Sequence, residues 1–421
     1  MLLGIHLKHF GVLFNTQFGL SAQRLKNQLL AGTAPDDITG GIQPLTGLIG
    51  RNSTGKSALF EALGFISDCM HHGVQFASTH KGRGGFARLS TLGRHHEISF
   101  DLVMWYQSKN SYLRYILTIG SDSHHRPYIT EEKVTRIIAD DSISGYSESI
   151  LLELKQGEGR ILEDGVLVET GVSDQKFPAL SVYGSIRRYP ELSFLNNQLQ
   201  RWYLCSPENR EAGFVSGESG GHKHLNESCD NIRNVLEFYR NEHRDEYHKM
   251  MKKISRHIPD GKRIDDAFLD GEVTSGSLRL FTYLLLLEDP RPRPLICFEE
   301  PDSGLYHDMV DILAFEMRDY TLRNPGCQIM FTTHNPYILE SLRPEEVWVF
   351  ERPAGGGRTQ DEHYMTHARC VGADPLVEAM YKQGVGMGSM WYGGHFDKDV
   401  ENNMDKSEEG NGNQSEREPE V

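Results

Sequence analysis

LTGLIGRNSTGKS, residues 45–57, decides the fold. Leu45 to Ile49 form an apolar run of the length of one buried strand, and a Gly-, Pro- and Asp-containing connection from Gly32 to Pro44 leads into it. The run ends at GRNSTGKS, which fits G-x-x-x-x-G-K-[ST] over Gly50, Arg51, Asn52, Ser53, Thr54, Gly55, Lys56 and Ser57. Leu59, Phe60, Leu63 and Ile66 then fall at helical spacing, which predicts a helix over 57–69. Strand, glycine-rich loop and helix in that order let backbone N–H groups cradle phosphates at a helix N-terminus. In such a loop Lys56 reaches the β- and γ-phosphates of ATP and Ser57 ligates Mg²⁺.

Outward from this stretch the hydrophobic period changes twice. GIHLKHFGVLF, near the N-terminus, alternates like a strand. From about Arg94 the period is again two: Ile98, Phe100, Leu102 and Met104, then Leu113, Tyr115, Leu117 and Ile119. RILEDGVLVE, residues 160–169, reads as a hairpin turning at Asp164-Gly165, a pair suited to positive φ. Between Phe194 and Ala267 the pattern is helical, with Ile232, Val235, Leu236 and Tyr239 on one stripe. No heptad persists there, which excludes a long coiled-coil arm in this interval. Gly213 to Gly221 is expected to be a mobile loop. The last third alternates helix (278–287), strand (295–298), helix (309–323), strand (328–332), helix (336–341) and strand (347–350), which predicts a parallel sheet. The expectation is an α/β fold divided into residues 1–193 with the P-loop and a β-rich lobe, a helical insertion over 194–267, and a second α/β part over 268–396. The acidic segment 397–421 lacks apolar periodicity and is expected to be disordered.

Three further segments carry chemistry. PLICFEEPDSGL, residues 294–305, sets two carboxylates at the C-terminal end of an apolar strand, where ligands sit in parallel sheets. Glu299 is expected to hold the Mg²⁺ shell, and Glu300 to act as general base on the water that attacks the γ-phosphate. IMFTTHNPYIL, residues 329–339, ends its strand at His334, whose imidazole can hydrogen-bond the same phosphate. EVTSGSLRLFTYLLLL, residues 272–287, offers Thr274, Ser275, Gly276 and Ser277 as a polar helix start able to take an anion.

Composition narrows the alternatives. No stretch approaches the roughly 20 apolar residues that span a bilayer, and no signal-peptide pattern opens the chain, so a cytoplasmic protein is expected. The six cysteines form no C-x-x-C pair and read as free thiols. With 44 basic against 59 acidic residues and a net charge of −15, any nucleic-acid contact must be a local basic patch; Arg187, Arg188, Lys252, Lys253, Arg256, Lys262 and Arg263 read instead as a solvated face. The histidine pairs at 71–72, 95–96 and 124–125, and His222-x-His224, lack the spaced ligands of a zinc site.

Taken in order, the P-loop, the Thr274–Ser277 helix start, Glu299-Glu300 followed by Ser303-Gly304-Leu305, and Thr-Thr-His334 resemble the ABC-type ATPase class that includes SMC, RecF and OLD-family proteins. Short prokaryotic RecF/OLD-like AAA-type ATPases are the nearest resemblance, with RRYPEL (187–192), RWYL (201–204) and MGSMWYGG (387–394) also similar. The resemblance implies ATP and Mg²⁺ as cofactors, and an ATP-dependent dimer in which Thr274, Gly276 and Ser277 of one copy cap the γ-phosphate held by the other. The sequence departs from the pattern in beginning its signature with Val273-Thr274 rather than Leu-Ser, in carrying Glu299 where an Asp is usual, and in following Leu305 with an inexact His307-Asp308. Transporter subunits, long-armed SMC proteins and fused OLD nucleases are excluded by spacing, by the lack of a coiled coil, and by the little chain after His334. What the resemblance leaves is a free-standing ATPase that gates a separate effector such as a nuclease in anti-phage defence, with RecF-like DNA repair or a nucleic-acid-independent regulatory ATPase as the alternatives.

Overall fold

The computed structural model describes residues 1–91, 96–140, 145–205, 224–229, 231–258, 275–352 and 365–396. Thr274, the Gly213–Gly221 stretch, Lys262, Arg263, His222 and the acidic segment after 396 lie outside them.

The period-two sequences pair into one antiparallel sheet. It contains β1 (Leu2–Phe10) and β2 (Leu13–Gly19), while β3 (Leu45–Ile49) leaves for a second sheet; β4 (Ile98–Tyr106), β5 (Ser111–Ser121), β6 (Pro127–Asp140), β7 (Gly145–Lys155), β8 (Glu158–Glu163) and β9 (Val166–Gly171) complete it. The order is β2-β1-β4-β5-β6-β7-β8-β9. The expected hairpin is β8–β9, with Glu163 opposite Val166 and φ of 48° and 83° at Asp164 and Gly165.

The second sheet is assembled from distant parts of the chain: β10 (Trp202–Cys205), β11 (Leu295–Phe298), β12 (Gln328–Thr332), β13 (Val347–Glu351) and β14 (His367–Cys370) join β3 in the order β10-β11-β12-β3-β13-β14. All but the last pair are parallel. Because both faces are covered, β3, β11, β12 and β13 are near-continuous buried runs rather than alternating ones. Leu48, Leu295, Cys297, Met330 and Phe350 share a core with Leu59, Leu63 and Ile66 of the P-loop helix Lys56–Thr79 and with Phe100, Leu102 and Leu117 of the antiparallel sheet. Residues one step along, Ile49, Phe298 and Phe331, join a second core with the helices Ile232–Glu242, Arg244–Ile254, Ser275–Leu287 and His307–Arg323. Each such side chain, fully withdrawn from water, contributes about 1.5–3 kcal/mol. The P-loop helix thus lies between the two sheets.

The span expected to be helical from 194 differs in one respect. Trp202–Cys205 is a strand, paired in register with Leu295–Phe298 at the edge of the parallel sheet. Four consecutive apolar residues carry no period, and pairing with β11 decides their conformation. The P-loop helix also runs past its expected end and bends at Gly73 (φ 80°, ψ 165°), where the Val74 N–H bonds to Lys176 O at 2.8 Å. Gln328 joins the sheets: its side-chain amide accepts from Leu2 N–H at 2.6 Å and donates to Leu2 O at 2.9 Å.

Candidate nucleotide site

The turn from β3 into the P-loop helix requires its glycines. Gly50 has φ of 137°, and a Cβ there would stand 2.2 Å from the Phe350 carbonyl oxygen of the neighbouring strand. Gly55, immediately before the helix, has φ of 108°. Between them Lys56 Nζ folds back to donate to Gly50 O at 2.7 Å and Arg51 O at 3.0 Å. Thr54 Oγ1 donates to Arg51 O at 2.9 Å. From the far end of the chain Thr366 Oγ1 donates to Thr54 O at 2.8 Å, and Thr16 Oγ1 from β2 donates to Thr366 O at 3.1 Å. The loop is therefore braced from both sheets. Arg51, Asn52, Ser53 and Ser57 are exposed, as a ligand-facing rim must be. Burial lowers the pKa of Lys56, and the charges of Glu300 and Glu299 push it back up.

The parallel order places β11 and β12 beside β3, so three motifs far apart in sequence end on one edge. Ser57 Oγ donates a short hydrogen bond to Glu299 Oε1. Glu300 stands in the left-handed region at φ 43°, and its N–H donates to Thr332 Oγ1 at 3.0 Å. His334 Nε2 lies 3.8 Å from Glu300 Oε1, with the two side chains 41% and 52% exposed, so a ligand can reach both. Asp302, buried just behind, has its pKa raised by burial, an effect that the Thr333 hydroxyl offsets and the Glu300 charge reinforces.

The helix start at Ser275, Gly276 and Ser277 lies against the loop after Glu300. A Cβ on Gly276 would be 3.1 Å from Gly304 O, and the Arg279 guanidinium donates to Ser303 O. Sequence reasoning missed Thr332, Asp302, Thr366 and Arg279 as parts of this assembly. Thr332 stood inside the quoted motif, but the target of its hydroxyl depends on the pairing of β11 with β12.

The donor set suits Mg²⁺. A hydroxyl and a carboxylate, both hard oxygen ligands, meet at Ser57 and Glu299, and Mg²⁺ takes one or two protein oxygens with water and phosphate supplying the rest. The described residues hold no group of three or more His, Cys, Asp or Glu placed to bind a metal by themselves.

Residues 226–340, which contain Gly276, Glu299, Glu300 and His334, match the family model described as "AAA domain, putative AbiEii toxin, Type IV TA system". This segment is similar to an AAA domain. The match does not include the P-loop, which meets it through the pairing of β3 with β12 and the Ser57–Glu299 hydrogen bond. Similar solved structures include an SMC head domain from Thermotoga maritima, 10% identical, with a TM-score of 0.42 over 88% of this chain and 98% of that one. An Smc head bound to the C-terminal winged-helix domain of ScpA is 10% identical, with a TM-score of 0.45 and coverage of 90% and 99%. An Smc head with an extended coiled coil, bound to the C-terminal domain of ScpA derived from Pyrococcus furiosus, is 9% identical, with a TM-score of 0.40 and coverage of 91% and 99%. No curated protein matches this chain. Among its described residues no helix is long and apolar enough to cross a membrane.

Proposed function

We propose that this chain hydrolyses ATP with Mg²⁺ and works as a two-state switch. The observation that carries the reading is the convergence of Ser57 with Glu299, and of Glu300 with His334, on one edge of the parallel sheet. ATP phosphates entering the P-loop take over the Lys56 ammonium from the Gly50 and Arg51 carbonyls, exchanging neutral acceptors for charged ones. Ser57 and Glu299 would hold Mg²⁺, which would supply charge neutralisation for the phosphates. Glu300 accepts a proton from the attacking water, and His334 donates to the γ-phosphate. Thr274, Ser275, Gly276 and Ser277 of a second copy close the site, so ATP stabilises a homodimer.

Residues 1–193 and 268–396 form the head in this reading and 194–267 its insertion. The output is control of a separate effector, a nuclease, in anti-phage defence in the prokaryotic cytoplasm. A partnered output fits the matched family's description, which names a toxin–antitoxin system. Nucleic acid, if it binds, does so through a local basic patch, as in the RecF-like alternative.

The test is Glu300→Gln, whose amide keeps the shape but takes no proton. It is expected to bind ATP, to release no phosphate, and to double its mass by light scattering with ATP but not with ADP. Lys56→Ala is expected to lose the nucleotide. Near-normal hydrolysis by the Gln variant sinks the base assignment, and one mass in both nucleotide states sinks the dimer.

A further inference from the structure

Several arginines of this fold are answered by carboxylates: Arg83 by Glu61 and Asp68, Arg114 by Asp101, Arg318 by Glu346, Arg323 by Glu288 and Asp319. Arg201, Arg291 and Arg293 are not: among the described residues none of them makes an ion pair with Asp or Glu within 4.0 Å. Yet the fold brings them together. Arg201 immediately precedes β10, and Arg291 and Arg293 lie in the turn before β11. Trp202 pairs with Leu295, so the two segments are side by side at the N-terminal ends of their strands, the opposite end of the sheet from Glu299. The Arg201 guanidinium donates to the carbonyl of Pro292, the residue that separates the other two.

The nearby acids are committed. Asp289 accepts from His224 Nδ1 at 2.7 Å and from the Arg291 N–H at 2.9 Å, and Glu288 pairs with Lys253 and Arg323. Arg293 lies over the Tyr203 ring, 4.8 Å from its centroid, and its Nε is buried without a hydrogen-bond partner. Burial first, and then the charges of Arg291 and Arg293, hold the pKa of Arg201 below the usual arginine value. A partly buried group of like charges is unfavourable alone, and here it persists in a chain whose net charge is −15.

The geometry points to a second oxyanion site, separate from the P-loop, in which Arg201, Arg291 and Arg293 bind one compact phosphoryl group. The guanidinium fork matches phosphate oxygens in pairs. Three cations gathered at one point suit a compact multivalent anion. A nucleic-acid backbone is tracked by a stripe of free cations, whereas Lys253 and Arg323 are neutralised by Glu288. The phosphoryl group is either a free ion or the end group of a larger molecule.

The full chain is titrated by calorimetry with inorganic phosphate and with pyrophosphate while a non-hydrolysable ATP analogue occupies the P-loop. Saturable binding is expected, weakened at least tenfold in Arg291→Gln, an exposed side chain whose loss leaves the packing alone, and in Arg293→Gln, with ATP affinity unchanged in both. A 5′-phosphorylated oligonucleotide that binds tighter than pyrophosphate, and loses that advantage without its phosphate, identifies a polymer end; equal or weaker binding identifies the free ion. Absence of saturable binding of either ion, or binding indifferent to both substitutions, overturns the site. Failure of the analogue to bind at all counts against the ATPase reading and leaves this test standing, because the variants report on the arginines alone.

Discussion

Thr332→Val isolates one bond in the catalytic edge. The substitution keeps volume and β-branching in a strand position that is 2% exposed, and it removes only the hydroxyl that accepts from Glu300 N–H at 3.0 Å. A neutral hydrogen bond of this kind is worth about 1 kcal/mol net. It also helps hold Glu300 at φ 43°, a conformation that costs a non-glycine residue about 1–2 kcal/mol. Without the bond the backbone relaxes toward negative φ and, under the proposed mechanism, carries the carboxylate off the attacking water. The loss in transition-state stabilisation is about 1–2 kcal/mol, which lowers kcat about 5- to 30-fold. Nucleotide affinity should stay within about twofold, since Ser57, Lys56 and Glu299 are untouched. Single-turnover phosphate release at saturating ATP measures the first quantity, equilibrium titration the second, and chemical denaturation the stability change. A variant that loses about 1 kcal/mol of stability but keeps kcat within twofold would refute the reasoning, because the bond would then be structural without positioning the base.

Two other perturbations read the scaffold. Gly50→Ala drives a Cβ into Phe350 O at φ 137°, and that carbonyl belongs to a strand already paired with β3; a loss of at least about 2 kcal/mol by denaturation and of ATP binding by titration is expected, and an unimpaired variant would contradict the turn geometry. Glu132 is buried in the β-rich lobe, where it accepts from Ala179 N–H at 2.6 Å, Leu180 N–H at 2.8 Å and Tyr115 OH at 2.9 Å. Burial raises its pKa from 4.5 to about 7 against those three donors. Folding therefore holds a proton that the unfolded chain releases, so its contribution is most favourable below about 4.5 and is lost as pH rises through about 7. Denaturation at pH 5 and pH 8 should show wild type losing on the order of 3 kcal/mol more than Glu132→Gln, and parallel pH dependence in the two proteins would reject the shift.

The sequence told most where chemistry is local. GRNSTGKS sets its own turn because its glycines, its lysine and its helix start are within one loop, and the Glu299-Glu300 and His334 segments each announce a strand end. Their convergence was legible only as an order of motifs. The pairing of β3 with both β12 and β13 is a tertiary choice that no window of sequence contains. For the same reason Trp202–Cys205 was hidden in a helical span, and the Thr366 brace on Thr54 was invisible, since its two hydroxyl partners come from opposite ends of the chain. The arginine cluster was missed because counting basic residues favours Lys- and Arg-rich stretches, whereas Arg201 becomes a neighbour of Arg291 only when β10 pairs with β11.

The position of β3 governs how this molecule is made. Its two ladder partners end at Thr332 and Glu351, so the strand that launches the P-loop has no neighbour until most of the chain has left the ribosome. The antiparallel sheet, complete by Gly171, can form first from contacts close in sequence, while Leu45–Ile49 waits as an apolar segment with open edges. The P-loop strand is thus flanked on both sides only late. A ribosome that stalls before β13 leaves a protein that has its phosphate loop in sequence and not in shape.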